Sequence, residues 1–151
     1  MPSDIVRNRI EIMHGVNLDQ LGRRDPGHYG TVTLIELERR ISETAAELGL
    51  VTRFFSTNHE GEFVEHLHGL DGLADAIVLN PGAWTHYSYA IRDALEVAGL
   101  PTIEVHLSDV DTREPFRRHS VLEGLCIGRV AGRGPDGYRD ALEMLREELI
   151  S

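Results

Sequence analysis

Short apolar runs alternate with longer amphipathic segments along the whole chain. The short runs predict strands at Arg9–Met13, Leu50–Phe55, Ala76–Leu79, Thr102–Val105 and within Val121–Ala131. Between these runs, apolar residues recur at the spacing of a helix face, at residues 34–48, 63–70, 84–98 and 138–149. Short apolar strands that alternate with helices favour a parallel sheet covered by helices on both faces.

The predicted helices carry recognisable end signals. Thr33 and Glu36 form a capping-box pattern, in which a hydroxyl and a carboxylate satisfy the first free N–H groups of a helix. Gly49 and Gly99 stand where helices would stop, and a left-handed cap is expected at Gly49. Pro135 suits the first position of the last helix. These signals bound three of the four predicted helices.

Size and composition indicate one globular domain over residues 1–151. Its hydrophobic content of 41% is ordinary for a globular protein, and its length allows one good core. No apolar run approaches the roughly 20 residues that cross a bilayer, so no membrane association is expected. The polar segment Met1–Asn8 lacks the apolar core of a secretion signal, and the lone Cys126 suits a reducing compartment. We expect a cytoplasmic protein.

The charged residues exclude several kinds of chemistry. With 15 basic and 25 acidic residues, the net charge is −10, which disfavours binding to the phosphates of nucleic acid. Every basic residue is an arginine, and the chain contains no lysine. Catalysis through a lysine Schiff base and a phosphate-loop lysine are therefore both excluded.

Polar and titratable residues follow three of the predicted strands. They form the segments His14–Leu18 with Leu21–Gly30, Asn80–His86, and His106–Ser108 with Arg113–Arg117. In open parallel sheets, ligands bind beyond the carboxyl ends of the strands. A single such segment is most simply a solvated loop, but three that converge on one edge predict a functional site.

Two pairs of residues suit acid–base chemistry. Glu104 and His106 are two apart at a strand end, so both side chains can face the same side. The carboxylate would fix the tautomer of the imidazole and raise its basicity, which suits a general acid, and a surface ion pair is the alternative. A tyrosine ordinarily has a pKa near ~10, so Tyr29 would need an adjacent cation to act as a base. Spacing allows Arg24 to supply that charge, and Arg23 is an equal candidate on charge grounds.

Several segments together resemble type II 3-dehydroquinate dehydratases. The resemblance covers nearly the whole chain and is carried by motifs at Gly15–Leu18, Leu21–Gly30, Asn58–Glu62, Asn80–His86, Ala90–Leu95, Glu104–Ser108, Arg113–Ser120 and Gly137–Tyr138. It implies a flavodoxin-like fold with a five-stranded parallel sheet. It also implies the conversion of 3-dehydroquinate to 3-dehydroshikimate by anti elimination through an enolate, without a cofactor.

The resemblance assigns catalytic roles residue by residue. Tyr29 would remove the proton from C2, and Arg24 would hold Tyr29 as its anion. Asn17 would help to position a water that stabilises the enolate. His106, paired with Glu104, would protonate the departing C1 hydroxyl.

The same resemblance implies how the substrate would be held. The carboxylate would bind around Leu107 and Ser108, and ring hydroxyls would bind to Asn80, His86 and Arg117. Arg113 would lie on the mobile side of an active-site lid. Asp93 would reach the site of a neighbouring subunit, since the family assembles as a dodecamer of trimers.

The chain departs from the usual family pattern at several positions. These are His14, Val16, Asp25, Ser56, Asp109, Tyr87 and Tyr89. All presumed catalytic positions are kept, but an inactive or substrate-shifted paralogue is an alternative, and a non-catalytic flavodoxin-like binding module is another. The same reaction serves aromatic biosynthesis and quinate breakdown, and both roles stay open.

Two further patterns suggest other functions. Gly132–Gly137 matches a dinucleotide fingerprint, but no strand follows its helix, and Pro135 removes an N–H donor. His66 and His68 suggest a metal, but side chains two apart on a helix point in different directions. We expect neither a bound nucleotide nor a catalytic metal.

Overall fold

Five parallel strands form one sheet in the computed structural model, which describes residues 6–150. The polar segment Met1–Asn8 is therefore described only from Val6 onward. The strands are β1 Arg9–His14, β2 Val51–Ser56, β3 Ala76–Asn80, β4 Thr102–His106 and β5 Gly128–Ala131, in the sheet order β2-β1-β3-β4-β5. This is the order of flavodoxin-like doubly wound folds, which confirms the predicted fold class.

Helices cover both faces of the sheet. They are α1 Pro26–Tyr29, α2 Leu34–Glu47, α3 Glu60–His68, α4 Tyr89–Ala98 and α5 Asp136–Ile150. Successive residues of a strand point to opposite faces, so Ile10 and Ile12 pack against α2 and α5, whereas Met13 packs against α3 and α4. No described helix is long and apolar enough to span a bilayer.

The predicted helix ends are largely confirmed. The Thr33 hydroxyl accepts the Glu36 N–H at 3.2 Å, and Gly49 has the left-handed φ of 74°. The prediction of one helix over Trp84–Ala98 is wrong, because a short 3₁₀ helix, Gly82–His86, ends before α4 begins. Ser88 separates the two by capping α4, its hydroxyl accepting the Ile91 N–H at 3.1 Å.

Two loops meet closely at the carboxyl ends of β1 and β3. A Cβ on Gly15 would lie 2.3 Å from the carbonyl oxygen of Pro81, and one on Gly82 would lie 2.6 Å from that of Val16. The Gly15 N–H also donates to the Asn80 carbonyl at 2.7 Å. The two glycines thus allow the loops after β1 and β3 to touch through their backbones, which fixes one wall of the site described next.

Candidate active site

A cavity of about 120 Å³ lies at the carboxyl edge of β1, β3 and β4. The predicted site residues that line it are Asn17, Arg24, Tyr29, Asn80, His86, His106, Leu107, Ser108, Arg113 and Arg117. Glu104 lies behind His106, and Asp93 is exposed on α4, away from the cavity. Residues from segments far apart in the chain are thus brought to one small space, which suits a small molecule rather than a polymer.

The hydroxyl of Tyr29 accepts two hydrogen bonds from arginines. Arg24 Nη2 donates to Tyr29 Oη at 2.7 Å, and Arg113 Nη1 donates to the same oxygen at 2.6 Å. The Arg24 guanidinium also lies over the tyrosine ring, 3.8 Å from its centroid. Arg23 points elsewhere and binds Gln20, so the structure distinguishes the two candidates in favour of Arg24.

A short helix presents Tyr29 to the cavity. Asp25 begins α1 by accepting the Gly27 N–H at 2.9 Å, and Pro26 occupies a first-turn position where no N–H is needed. Gly30 ends the helix with φ 68°. Arg24 precedes α1 and Tyr29 is its last residue, so the single turn of this helix brings together two residues that are five apart in sequence.

His106 and Glu104 form a buried pair at the end of β4. His106 Nε2 donates to Glu104 Oε2 at 2.5 Å, and the carboxylate is 1% exposed, so this is not a surface ion pair. Burial opposes ionisation of Glu104, but hydrogen bonds from His106, Thr85 and Ser120 hold its pKa below the usual value. An ionised Glu104 fixes the Nε2 proton of His106 and leaves Nδ1 for the cavity.

His86 lies beside His106 with a defined tautomer. Its Nδ1 donates to the carbonyl of His119 at 2.8 Å, which leaves Nε2 as an acceptor. Partial burial lowers the pKa of His86, and the nearby His106 and Arg117 add to this effect. A neutral His86 can therefore accept a hydrogen bond from a ligand hydroxyl.

Asn17 has a strained backbone at the mouth of the cavity. Its φ of 69° is the only positive φ of a non-glycine residue in the described chain. The Asn58 side chain, which follows β2, accepts the Asn17 N–H at 2.8 Å and donates to Asp19 at 2.9 Å. Sequence reasoning placed Asn58 only within a motif and assigned it no role.

The cavity is cationic although the chain is acidic. Arg24, Arg113 and Arg117 line it, and its lining residues include no aspartate or glutamate. Arg117 is also paired with Glu114 at 3.0 Å, which lowers the pKa of Glu114. Because arginine is charged at any ordinary pH, the cavity is suited to an anionic ligand.

The geometry does not support a dinucleotide site at Gly132–Gly137 or a metal site at His66 and His68. Gly132 and Gly134 donate their N–H groups to the carbonyls of Ser108 and Leu107, so these donors are not free for a phosphate. His66 packs on Phe55 and pairs with Glu11. Within residues 6–150, no group of three His, Cys, Asp or Glu side chains lies together as a metal site would require.

The chain is similar to proteins of one family. The family model described as dehydroquinase class II matches residues 8–146. A 3-dehydroquinate dehydratase of Syntrophotalea carbinolica is 51% identical over 131 residues, covering 86% of this chain and 88% of that protein. One of Pelobacter propionicus is 49% identical, covering 95% and 96%. The crystal structure of type II dehydroquinase from Propionibacterium acnes, 40% identical, matches with a TM-score of 0.88 over 94% and 98% of the two chains.

Proposed function

The chain belongs to the class II dehydroquinase family, and we propose that it converts 3-dehydroquinate to 3-dehydroshikimate by eliminating water. The observation that carries the proposal is the phenol oxygen of Tyr29 held between two guanidinium groups in a cationic cavity that also contains His106. A base and an acid that face one cavity are what an elimination needs.

Tyr29 is the proposed base. Hydrogen bonds to the charged form of a group favour that form, and Arg24 and Arg113 both donate to the phenol oxygen. The phenolate takes the proton from C2 of the substrate, and the electron pair of the C–H bond moves toward the ketone oxygen to give an enolate. Asn17 helps to hold the water that stabilises this enolate.

His106 is the proposed acid. The enolate collapses to the conjugated enone as the C1–O bond breaks, and the imidazolium of His106 supplies the proton that turns the departing hydroxyl into water. Glu104 stabilises the imidazolium, because its carboxylate accepts a hydrogen bond from Nε2 at 2.5 Å. The Nδ1 proton is then the one that is transferred.

Substrate binding uses the remaining polar groups of the cavity. The substrate carboxylate binds around Leu107 and Ser108, close to the Arg113 guanidinium, which lies 3.2 Å from the Ser108 hydroxyl. Ring hydroxyls bind to Asn80, His86 and Arg117. Arg113 contacts Tyr29 and Ser108 together, which supports the proposal that its segment is the lid of the site.

We also propose a homo-oligomeric assembly, a dodecamer of trimers, in which Asp93 contributes to a neighbouring subunit's site. In a single chain, Asp93 is exposed on α4 between Tyr89 and Val97, which are 65% and 69% exposed. These residues are four apart and form one helix face that a second subunit would cover. Native mass spectrometry should show the dodecamer, and a fully active monomer would remove Asp93 from the site. The localisation that we propose is cytoplasmic.

One assay tests the activity directly. Purified protein mixed with 3-dehydroquinate should produce the ultraviolet absorbance of a conjugated enone. Tyr29→Phe, which keeps the ring and removes the hydroxyl, should abolish the signal while ligand binding persists. Wild-type protein that binds 3-dehydroquinate without turning it over would support the binding-module alternative, and near-normal turnover by Tyr29→Phe would refute the proposed base.

A further inference from the structure

We propose that Thr85 and Ser120 are positioning residues, which hold Glu104 as a buried carboxylate and thereby orient His106 for proton donation. The inference rests on the proposed function, because it concerns the acid step of that reaction. Neither side chain lines the cavity. Both would therefore act through Glu104 and not by touching the substrate.

The Glu104 carboxylate is surrounded by three donors. Thr85 Oγ1 and His106 Nε2 both lie 2.5 Å from Oε2, and Ser120 Oγ lies 2.8 Å from Oε1. All four side chains are buried, with 1% of Thr85 and 5% of Ser120 exposed. Burial disfavours an ionised carboxylate, and hydrogen bonds donated to it offset this cost.

The two hydroxyl protons are directed at the carboxylate. Ser120 Oγ accepts the backbone N–H of Leu122 at 3.1 Å, which occupies a lone pair of the hydroxyl and leaves its single proton for Glu104. The Thr85 and Ser120 oxygens are also 3.1 Å apart. Both hydroxyls therefore belong to one network with a single acceptor at its centre.

The same two segments also hold the other histidine of the site. Thr85 directly precedes His86, and its carbonyl accepts the Val121 N–H at 2.8 Å. His86 Nδ1 in turn donates to the carbonyl of His119, the residue before Ser120. The loop after β3 and the segment at residues 119–121 are thus joined by two hydrogen bonds, which hold the Thr85 and Ser120 hydroxyls together beside Glu104.

A nearby arginine does not replace these hydroxyls. Arg129 Nε lies 3.8 Å from Glu104 Oε2, beyond hydrogen-bond distance, and its side chain is 30% exposed. Its charge favours an ionised Glu104 but does not set the direction of the carboxylate. Thr85 and Ser120 therefore orient the Glu104 carboxylate.

The test compares Thr85→Val, which keeps the shape and removes the hydroxyl, with Thr85→Ser, which keeps the hydroxyl. Loss of a hydrogen bond to a charged group should lower kcat about 10- to 100-fold in Thr85→Val. Elimination should fall more than exchange of the C2 proton with solvent, because only the acid step is affected. Thr85→Ser should restore most of this loss, and Ser120→Ala should resemble Thr85→Val.

The pH profile separates this role from a purely structural one. With one donor fewer, Glu104 should gain a proton at higher pH. Its protonation would then add to that of Tyr29 on the acidic limb of kcat, so this limb should become steeper and move upward in Thr85→Val and return in Thr85→Ser. The other charged or titratable groups near Glu104 stay the same in both variants: His106, Arg129, His86 and Cys126. Ser88→Ala is the control, because it removes another buried hydroxyl, the cap of α4. It should reduce the free energy of unfolding without moving the acidic limb of kcat.

The outcomes distinguish this inference from the proposed function. An inactive wild-type protein would refute the proposed function itself. An active wild-type protein whose Thr85→Val variant keeps the wild-type acidic limb and the wild-type ratio of exchange to elimination would overturn the positioning role. Equal loss of exchange and elimination in Thr85→Val, with a reduced unfolding free energy and an unmoved limb, would show a structural role only.

Discussion

The side chain of Asn58 holds the backbone of Asn17 in a conformation that residues other than glycine rarely adopt. The Asn17 N–H donates to Asn58 Oδ1 at 2.8 Å, where Asn17 has φ 69°, and Asn58 also bonds Asp19. A strained residue persists only where its surroundings impose the strain. Asn58 therefore fixes the position of a proposed catalytic residue from the end of a different strand.

Asn58→Ala should remove this hydrogen bond and allow Asn17 to move. We expect kcat to fall about 10-fold and the free energy of unfolding to fall by about 1 kcal/mol, the contribution of one hydrogen bond. Steady-state kinetics and urea unfolding measure the two effects. Asn8→Ala is the matched control, because it removes an asparagine that bonds Gly49 away from the site. Wild-type kcat in Asn58→Ala would show that Asn17 keeps its conformation without the Asn58 hydrogen bond.

Arg24→Ala should raise the pH at which activity appears. Activity requires Tyr29 without its proton, and Arg24 donates to the phenol oxygen at 2.7 Å, so its removal makes deprotonation harder. The rate at neutral pH should fall by about 10²–10⁴, the usual contribution of a general base. Arg23→Ala changes an identical neighbouring residue that binds Gln20, and its profile of kcat against pH should be unchanged. Equal shifts in the two variants would mean that the local positive charge matters and not the hydrogen bond.

Much of the fold was predictable because apolar periodicity determines which residues are buried. The five strands and the caps at Thr33 and Gly49 follow from that pattern, and each is found close to its predicted place. The break before α4 was not predicted, since the apolar spacing from Trp84 onward continues through it. It depends on the Ser88 hydroxyl bonding the Ile91 N–H, which periodicity does not report.

The residues that line the cavity could be gathered from the sequence, but their connections could not. The strand-end rule selected segments that the structure brings to one cavity, and alternation along β4 predicted that Glu104 lies beside His106. Charge left Arg23 and Arg24 as equal candidates, because only the turn of α1 decides which of them meets Tyr29. The roles proposed for Thr85 and Ser120 depend on contacts between distant segments, for which a single sequence gives no signal.

His106→Ala should slow elimination more than exchange of the C2 proton. Tyr29 and its two arginines are intact in this variant, so the enolate still forms and can return its proton to solvent. Without the acid, loss of hydroxide should fall by about 10²–10⁴. Deuterium exchange at C2, followed by nuclear magnetic resonance, measures the first step, and enone absorbance measures the whole reaction. If both fall equally, His106 is needed for binding or structure and not as the acid.

Glu104→Gln should make the free energy of unfolding less dependent on pH in the acidic range. The pKa of Glu104 is held below its usual 4.5 in the folded protein, despite burial, by donors that include His106. A carboxyl of this kind stabilises the fold above its unfolded pKa, and the stabilisation is lost as the pH falls through the folded value. Urea unfolding between about pH 3 and pH 6 should therefore depend less steeply on pH below 4.5 in Glu104→Gln than in wild type. Parallel curves would mean that Glu104 does not change its protonation on unfolding.

Turnover should survive both borohydride and prolonged chelation. A ketone substrate can also be dehydrated through an imine to a lysine, which borohydride reduces to a stable adduct, but this chain has no lysine. The negative charge of an enolate must then be met by hydrogen-bond donors, of which the cavity offers Arg24, Arg113 and Asn17. Borohydride added with 3-dehydroquinate should leave the activity and the mass of the protein unchanged, and a chelator should leave the rate unchanged. A covalent adduct in the mass spectrum would refute the enolate route, and activity lost to a chelator and restored by zinc or magnesium would establish a metal-dependent one.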